Sequence, residues 1–68
     1  MSGGVYKKIE IVGTSPNSYA EATANAVAKA GESVHGMSWF EVVEQRGAIA
    51  DHKVKEYQVT IRIGFKVD

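Results

Sequence analysis

The stretch GMSWFEVVEQRG, Gly36 to Gly47, holds Trp39, the single tryptophan of the chain, and the later stretch KEYQVTIRIGF holds Gln58. An indole is a flat apolar surface, and a carboxamide supplies two N–H donors and an acceptor. Together they suit a flat heteroaromatic ligand. Its π-face would stack on the indole, where offset stacking contributes about 0.5–1.5 kcal/mol beyond area burial, while the amide meets a polar ring edge. The same tryptophan also suits a subunit interface, where this residue type is enriched. Residue types leave both readings open, and both require something outside one subunit.

Other chemistries find less support. His35 and His52 have no further histidine or cysteine at ligand spacing, and both fall at element ends or turns, so no metal site is assigned. Ser15, Ser18, Ser33 and Ser38 lie outside any G-x-S-x-G motif, and turn and capping roles account for them better. On strict strand alternation Glu41 and Glu44 fall on opposite faces, which disfavours a paired acid and base. GTSPNS is no phosphate loop, and GxGxxG does not occur.

The elements that must carry Trp39 and Gln58 can be read from periodicity. From Val5 to Val12 the chain reads as a first strand, with Val5, Ile9 and Ile11 on one face and Tyr6, Lys8 and Glu10 on the other. GTSPNS is a turn that ends in a capping box, Ser18-Tyr19-Ala20-Glu21. The helix that follows presents a mild apolar face of Tyr19, Ala22, Ala26, Ala30 and Val34 and is expected to end near His35, with Gly31 as an interior weak point and Gly36 as its stop.

A long hairpin then turns at Ala50-Asp51-His52-Lys53. In its second arm Tyr57, Val59, Ile61, Ile63, Phe65 and Val67 share the core face, opposite Glu56, Gln58, Thr60, Arg62, Gly64 and Lys66. In its first arm Phe40 and Val42 are the natural core partners, leaving Trp39, Glu41, Val43 and Gln45 on the opposite face. Trp39 therefore stands off the core. With the third strand between the other two, the expectation is an α+β fold of β-α-β-β order, a three-stranded antiparallel sheet packed on one helix.

The totals fit one domain over residues 1–68, with 1–4 expected to be frayed. A chain this short usually needs a staple; cysteine is absent, so oligomerisation is the one left. The formal net charge of +0 gives no field for a phosphate backbone, and no apolar stretch has the length of a signal or membrane segment. The expected address is the cytoplasm, without nucleic acid or membrane as partner.

The blocks VYKKIEIVGTSPNSYAEA, GMSWFEVVEQRGAI and KVKEYQVTIRIGF resemble the dodecins, in order and over nearly the whole chain, Val5 to Phe65. The resemblance implies a subunit assembled into a hollow homododecamer that binds and stores flavin. It implies that Trp39 stacks on the isoalloxazine, two flavins pairing at each two-fold axis between symmetry-related indoles, and that Gln58 contacts the pyrimidine edge. Arg46 is similar to an arginine that influences flavin binding in bacterial members, which favour FMN and in some cases also bind coenzyme A; the implied cargo is FMN, or riboflavin or FAD. Strict alternation places Arg46 opposite Trp39, so its contact requires strand twist, a bulge or a neighbouring subunit. The hairpin reads DHKV where family members commonly have DGKV, putting His52 where φ > 0 is expected.

The implied mechanism is sequestration: a flavin stacked on an electron-rich indole is shielded from water and its excited state is quenched by electron transfer from Trp39. No acid, base or nucleophile is needed, so the protein is read as not an enzyme. Three alternatives stand beside this reading: a purely structural oligomer, a flavin-dependent oxidoreductase, which would need an open reactive face on its cofactor, and a single-stranded nucleic-acid-binding module with an exposed stacking aromatic. The charge balance counts against the last, and stacking between two flavins and two indoles leaves no open face for the oxidoreductase.

Overall fold

The structure, a computed structural model, describes residues 3–67. The elements run β1 (Val5–Ser15), α1 (Tyr19–Ala30), β2 (Met37–Ala50) and β3 (Lys53–Val67). They form the expected three-stranded sheet in the order β1-β3-β2, antiparallel throughout. Of the N-terminal residues expected to be frayed, Met1 and Ser2 lie outside the described residues, while Gly3 and Gly4 are exposed ahead of β1. Among the described residues no helix is long and apolar enough to cross a membrane.

Strand β1 continues three residues beyond its expected end, because long β3 supplies ladder partners: Gly13 pairs with Val59, Thr14 with Gln58 and Ser15 with Tyr57. The bend is left to Pro16 and Asn17. Gly13 is also where the helix comes closest, since a Cβ there would overlap the Ala22 carbonyl oxygen and the Ala26 methyl. The alanine face therefore settles directly on the sheet. Ala22, Ala26 and Ala30 meet Val59, Ile61 and Ile63 to form the core, with Ile9, Ile11, Tyr19, Val27 and Met37 packed around it. At the start of the helix the rings of Tyr19 and Tyr57 meet edge to face at 5.0 Å, tying α1 to β3.

Only half of the capping box forms. The Ser18 hydroxyl accepts from the Glu21 N–H at 3.0 Å as expected. The Glu21 carboxylate turns instead to the Ser15 hydroxyl and to Asn17 Nδ2, both of which donate to it. Ser15 is buried, so its hydroxyl needs a partner, and it also accepts from the Asn17 N–H. A carboxylate near a helix N-terminus serves it and interacts favourably with the dipole. The hydrogen bond from Ser15, then that from Asn17, holds the Glu21 carboxyl below the usual carboxylate range.

The helix stops at Ala30, earlier than the sequence pattern suggests, and Gly31 caps it in place of weakening its interior. The Gly31 N–H still reaches Val27 O, but the chain then turns through Gly31–Ser33, the Val34 N–H bonding Ala30 O. Glycine has low helix propensity, and Met37 must already join the sheet, which leaves no room for another turn. Gly36, expected to stop the helix, sits at φ 74° and instead swings the chain into β2.

Helix and sheet are mismatched in length. The 12-residue α1 is about 18 Å long, whereas the 15 residues of β3 extend roughly 50 Å. The helix packs on β1 and β3. Phe40 and Val42 pair with Ile63 and Ile61 and so lie on the core side of the sheet as expected, yet they are 50% and 49% exposed because α1, packed on β1 and β3, does not extend over them. Their expected core role is not met within one subunit. At the far end Ile49 and Val54 flank the hairpin turn, both exposed.

Two predictions follow from the caps and turns. Because the folded Glu21 carboxyl titrates below its unfolded value, its stabilisation is fully present above the ordinary carboxylate range and is lost as pH falls through the lowered folded value. The stability gap between wild type and Glu21→Gln, measured by denaturant midpoint, is expected to hold steady near neutral pH and to close in acid; a gap independent of pH would show that the carboxylate's charge plays no part. In the two-residue turn, Asp51 and His52 both adopt left-handed backbone, φ 53° and 62°. Such geometry favours glycine, so His52→Gly is expected to raise stability by about 1 kcal/mol. A denaturation midpoint that stays put or falls would mean that the imidazole offsets the strain.

Candidate functional site

The open face of the sheet, opposite α1, carries the even-numbered residues of β3: Glu56, Gln58, Thr60, Arg62, Gly64 and Lys66. Their β2 partners decide what joins them there. Trp39 pairs with Gly64 and Glu41 with Arg62, so both side chains are on the open face, as alternation predicts. The register shifts on either side of this segment. Ser38 lies between Met37, paired with Phe65, and Trp39; Val43 lies between Val42, paired with Ile61, and Glu44, paired with Thr60. Each unpaired residue reverses the inward and outward alternation.

The consequence of the Val43 bulge is chemical. Beyond it Arg46 pairs with Gln58 and stands on the same face as Trp39, where strict alternation had put it on the other. Gln45, expected beside Trp39, pairs instead with Val59 and takes the core side. Glu44 joins Glu41 on the open face, correcting the expectation that they lie on opposite faces. They form no acid and base pair of the usual kind, because the hydrogen bond from Lys8 holds the Glu41 carboxyl below the ordinary range and keeps it an acceptor at neutral pH.

Trp39 lies on the backbone of β3. A Cβ at Gly64 would overlap its Cε2 and Cζ2 atoms, so the missing side chain is what allows the six-membered ring to lie on the strand. The indole remains 42% exposed, which leaves ring surface for a partner. Lys8, opposite Gly64 on β1, holds its ammonium 5.6 Å from the ring centroid, within cation–π reach, and pairs with Glu41 at 2.6 Å. One row further along, Arg62 pairs with Glu10 at 2.9 Å. These pairs are solvent-exposed and add little stability, but they neutralise the face around the indole.

Gln58 is held from both sides. Arg46 Nε donates to its Oε1 at 2.7 Å, and its Nε2 donates to Glu56 Oε1 at 2.9 Å. Arg46 and Gln58 are therefore brought together. Trp39 and Gln58 are not: Gly64, under the indole, is six residues along β3 from Gln58, roughly 20 Å. One planar ligand cannot rest on the indole and reach the amide of the same subunit. His35 and His52 are exposed, and among the described residues no group of three or more His, Cys, Asp or Glu stands where it could hold a metal ion.

Alternation had already put Gly64, Lys8 and Glu56 on the polar faces of their strands, but residue type gave them no part in the site. Gly64 did leave a signal, since an isolated glycine in an alternating strand marks a close approach by another group. Lys8 and Glu56 left none, being ordinary polar positions whose neighbours are set by register.

Comparison with known proteins bears on this geometry. The family model for dodecin matches residues 5–68. A dodecin from Thermus thermophilus is 46% identical over 66 residues, covering 97% of this chain and 96% of the relative. A protein from Mycobacterium tuberculosis named calcium dodecin is 38% identical over 63 residues, covering 93% and 89%. The solved dodecin of Streptomyces coelicolor superposes with a TM-score of 0.94 at 40% identity, covering 100% of this chain and 97% of that one. With its β-α-β-β order, its sheet topology and a family match over nearly its full length, this chain belongs to the dodecin family.

Proposed function

We propose that this protein is a cytoplasmic flavin store: a homododecamer that stacks FMN, or riboflavin or FAD, on Trp39 and quenches its photoreactivity, with no catalytic role. The observation that carries the reading is the indole itself, seated flat on Gly64 on a sheet face that the helix does not cover, with ring surface still open. A ring held there by backbone packing is already oriented to stack, so little order is lost when a planar ligand arrives.

Assembly is part of the proposal. Phe40 and Val42 are apolar, half exposed and beyond the reach of α1, which suits burial against a second copy. The roughly 20 Å between the indole and Gln58 requires that an isoalloxazine touching both takes them from different subunits. A two-fold interface supplies this by symmetry, since each subunit gives its indole to one half-site and its amide to the other. Arg46, which bonds Gln58, belongs to the same end of the site. Trp39 would serve there as the electron donor to an excited flavin and would take the electron back, dissipating the energy without net chemistry.

The name of the mycobacterial relative carries calcium, but the reading for this chain rests on Trp39. Nucleic acid is disfavoured because Lys8 and Arg62 on the open face are already paired with Glu41 and Glu10.

Titration of flavin-free protein into FMN, with riboflavin and FAD in parallel, is expected to quench flavin fluorescence to saturation near one flavin per subunit. Repeating it with coenzyme A present tests whether that second ligand shares the shell. Trp39→Ala is expected to weaken FMN binding by about tenfold or more and to restore fluorescence to what still binds; unchanged affinity and quenching would remove Trp39 from the site. Gly64→Ala, which forces the indole off its seat while keeping the tryptophan, is expected to weaken binding in the same direction. Wild-type affinity in that variant would mean that the seat does not present the ring.

A further inference from the structure

The carboxamide of Gln58 is clamped in one orientation, and chemistry says which. Arg46 Nε–H can only donate, so the atom 2.7 Å from it is the amide oxygen. The amide nitrogen then faces Glu56, whose carboxylate oxygen accepts from it at 2.9 Å. The two contacts agree on one flip state. Arg46 alone would identify the oxygen but leave the amide plane free to swing about its side-chain torsions; an anchor on the nitrogen removes that freedom. Glu56 lies two residues from Gln58 on the same face of the same strand, so the anchor sits on rigid backbone.

We propose that Glu56 is a positioning residue: with Arg46 it fixes Gln58 so that one free lone pair on Oε1 and one free N–H on Nε2 are held ready for an imide edge, a ring N–H beside a carbonyl. The proposal rests on the flavin reading and adds to it the source of edge specificity. A ligand whose imide N–H is blocked leaves that second lone pair of the amide oxygen without a donor in a desolvated site, and that penalty is what the clamp enforces. Without the anchor the amide rotates away and the penalty is relieved.

The test compares lumiflavin with N3-methyl-lumiflavin, each titrated against the assembled wild type, Glu56→Ala and Glu56→Gln by fluorescence quenching. Wild type is expected to prefer lumiflavin by about tenfold, and Glu56→Ala to bring the preference down to about twofold or less. Glu56→Gln, of nearly the same size but uncharged, is expected to fall between them, and it carries the test if the alanine variant does not assemble. Damage to the shell alone would shift both affinities together and leave their ratio intact. A wild-type preference that persists undiminished in the variants overturns the role of Glu56 and leaves flavin binding standing; equal wild-type affinities overturn the imide contact itself; and failure of the wild type to bind either compound overturns the flavin reading and this proposal with it.

Discussion

A sheet with strands of 11, 14 and 15 residues is served by one helix of 12, and the rest of the molecule depends on that mismatch. A helix rises about 1.5 Å per residue against about 3.3 Å for a strand, so α1 covers only the middle of β3 and the second half of β1. Close approach is bought with small residues, three alanines against Gly13, which give tight contact but little buried area per side chain. What the helix cannot reach remains open: the outer strand β2 with Phe40 and Val42 on one side, and the whole opposite face of the sheet. An isolated subunit is thus short of core, and its uncovered surfaces are where the proposed assembly and ligand binding would take place.

On the open face, charge and register work together. Lys8, Glu10, Glu41 and Arg62 alternate in sign across three strands and satisfy one another, consistent with a chain whose acids and bases are equal in number. Their pairing leaves the indole of Trp39 as the distinctive feature of its surroundings. At the other end of the face the polar groups have a different arrangement, a chain from Arg46 through Gln58 to Glu56 that spends one bonding position on each heteroatom of the amide and keeps one in reserve. An apolar platform and a polar reader thus occupy opposite ends of one sheet, separated by more than a single planar ring system spans. Symmetry between copies is the simplest way to bring such ends together.

The bulges give β2 its two functions. Between Ser38 and Val43 the strand keeps Trp39 and Glu41 outward and Phe40 and Val42 inward; before and after, the alternation is reversed. Met37 can therefore pack against the core two residues before Trp39 leaves it. Arg46 can stand beside Gln58 although it is an odd number of residues from Trp39. A regular strand would have satisfied one of these placements and lost the other.

The sequence by itself determined whatever depends on local periodicity and local sterics. The alternation of β3, the alanine stripe of α1, the Ser18 cap, the hairpin turn at Asp51 and His52, and the exclusion of Trp39 from the core were legible because neighbouring residues encode them. Tertiary structure decided what depends on a partner at a distance. Whether Val43 is paired or skipped is a question of which residues on β3 lie opposite, and no local signal answers it. Hence Arg46, Gln45 and Glu44 each took the face that alternation denied them. The choice by Glu21 of Ser15 over the box it could have closed, the end of the helix at Gly31, and the resting of the indole on Gly64 likewise depend on packing between elements. Side-chain type tells which groups can bind; only the pairing of strands says which of them share a face.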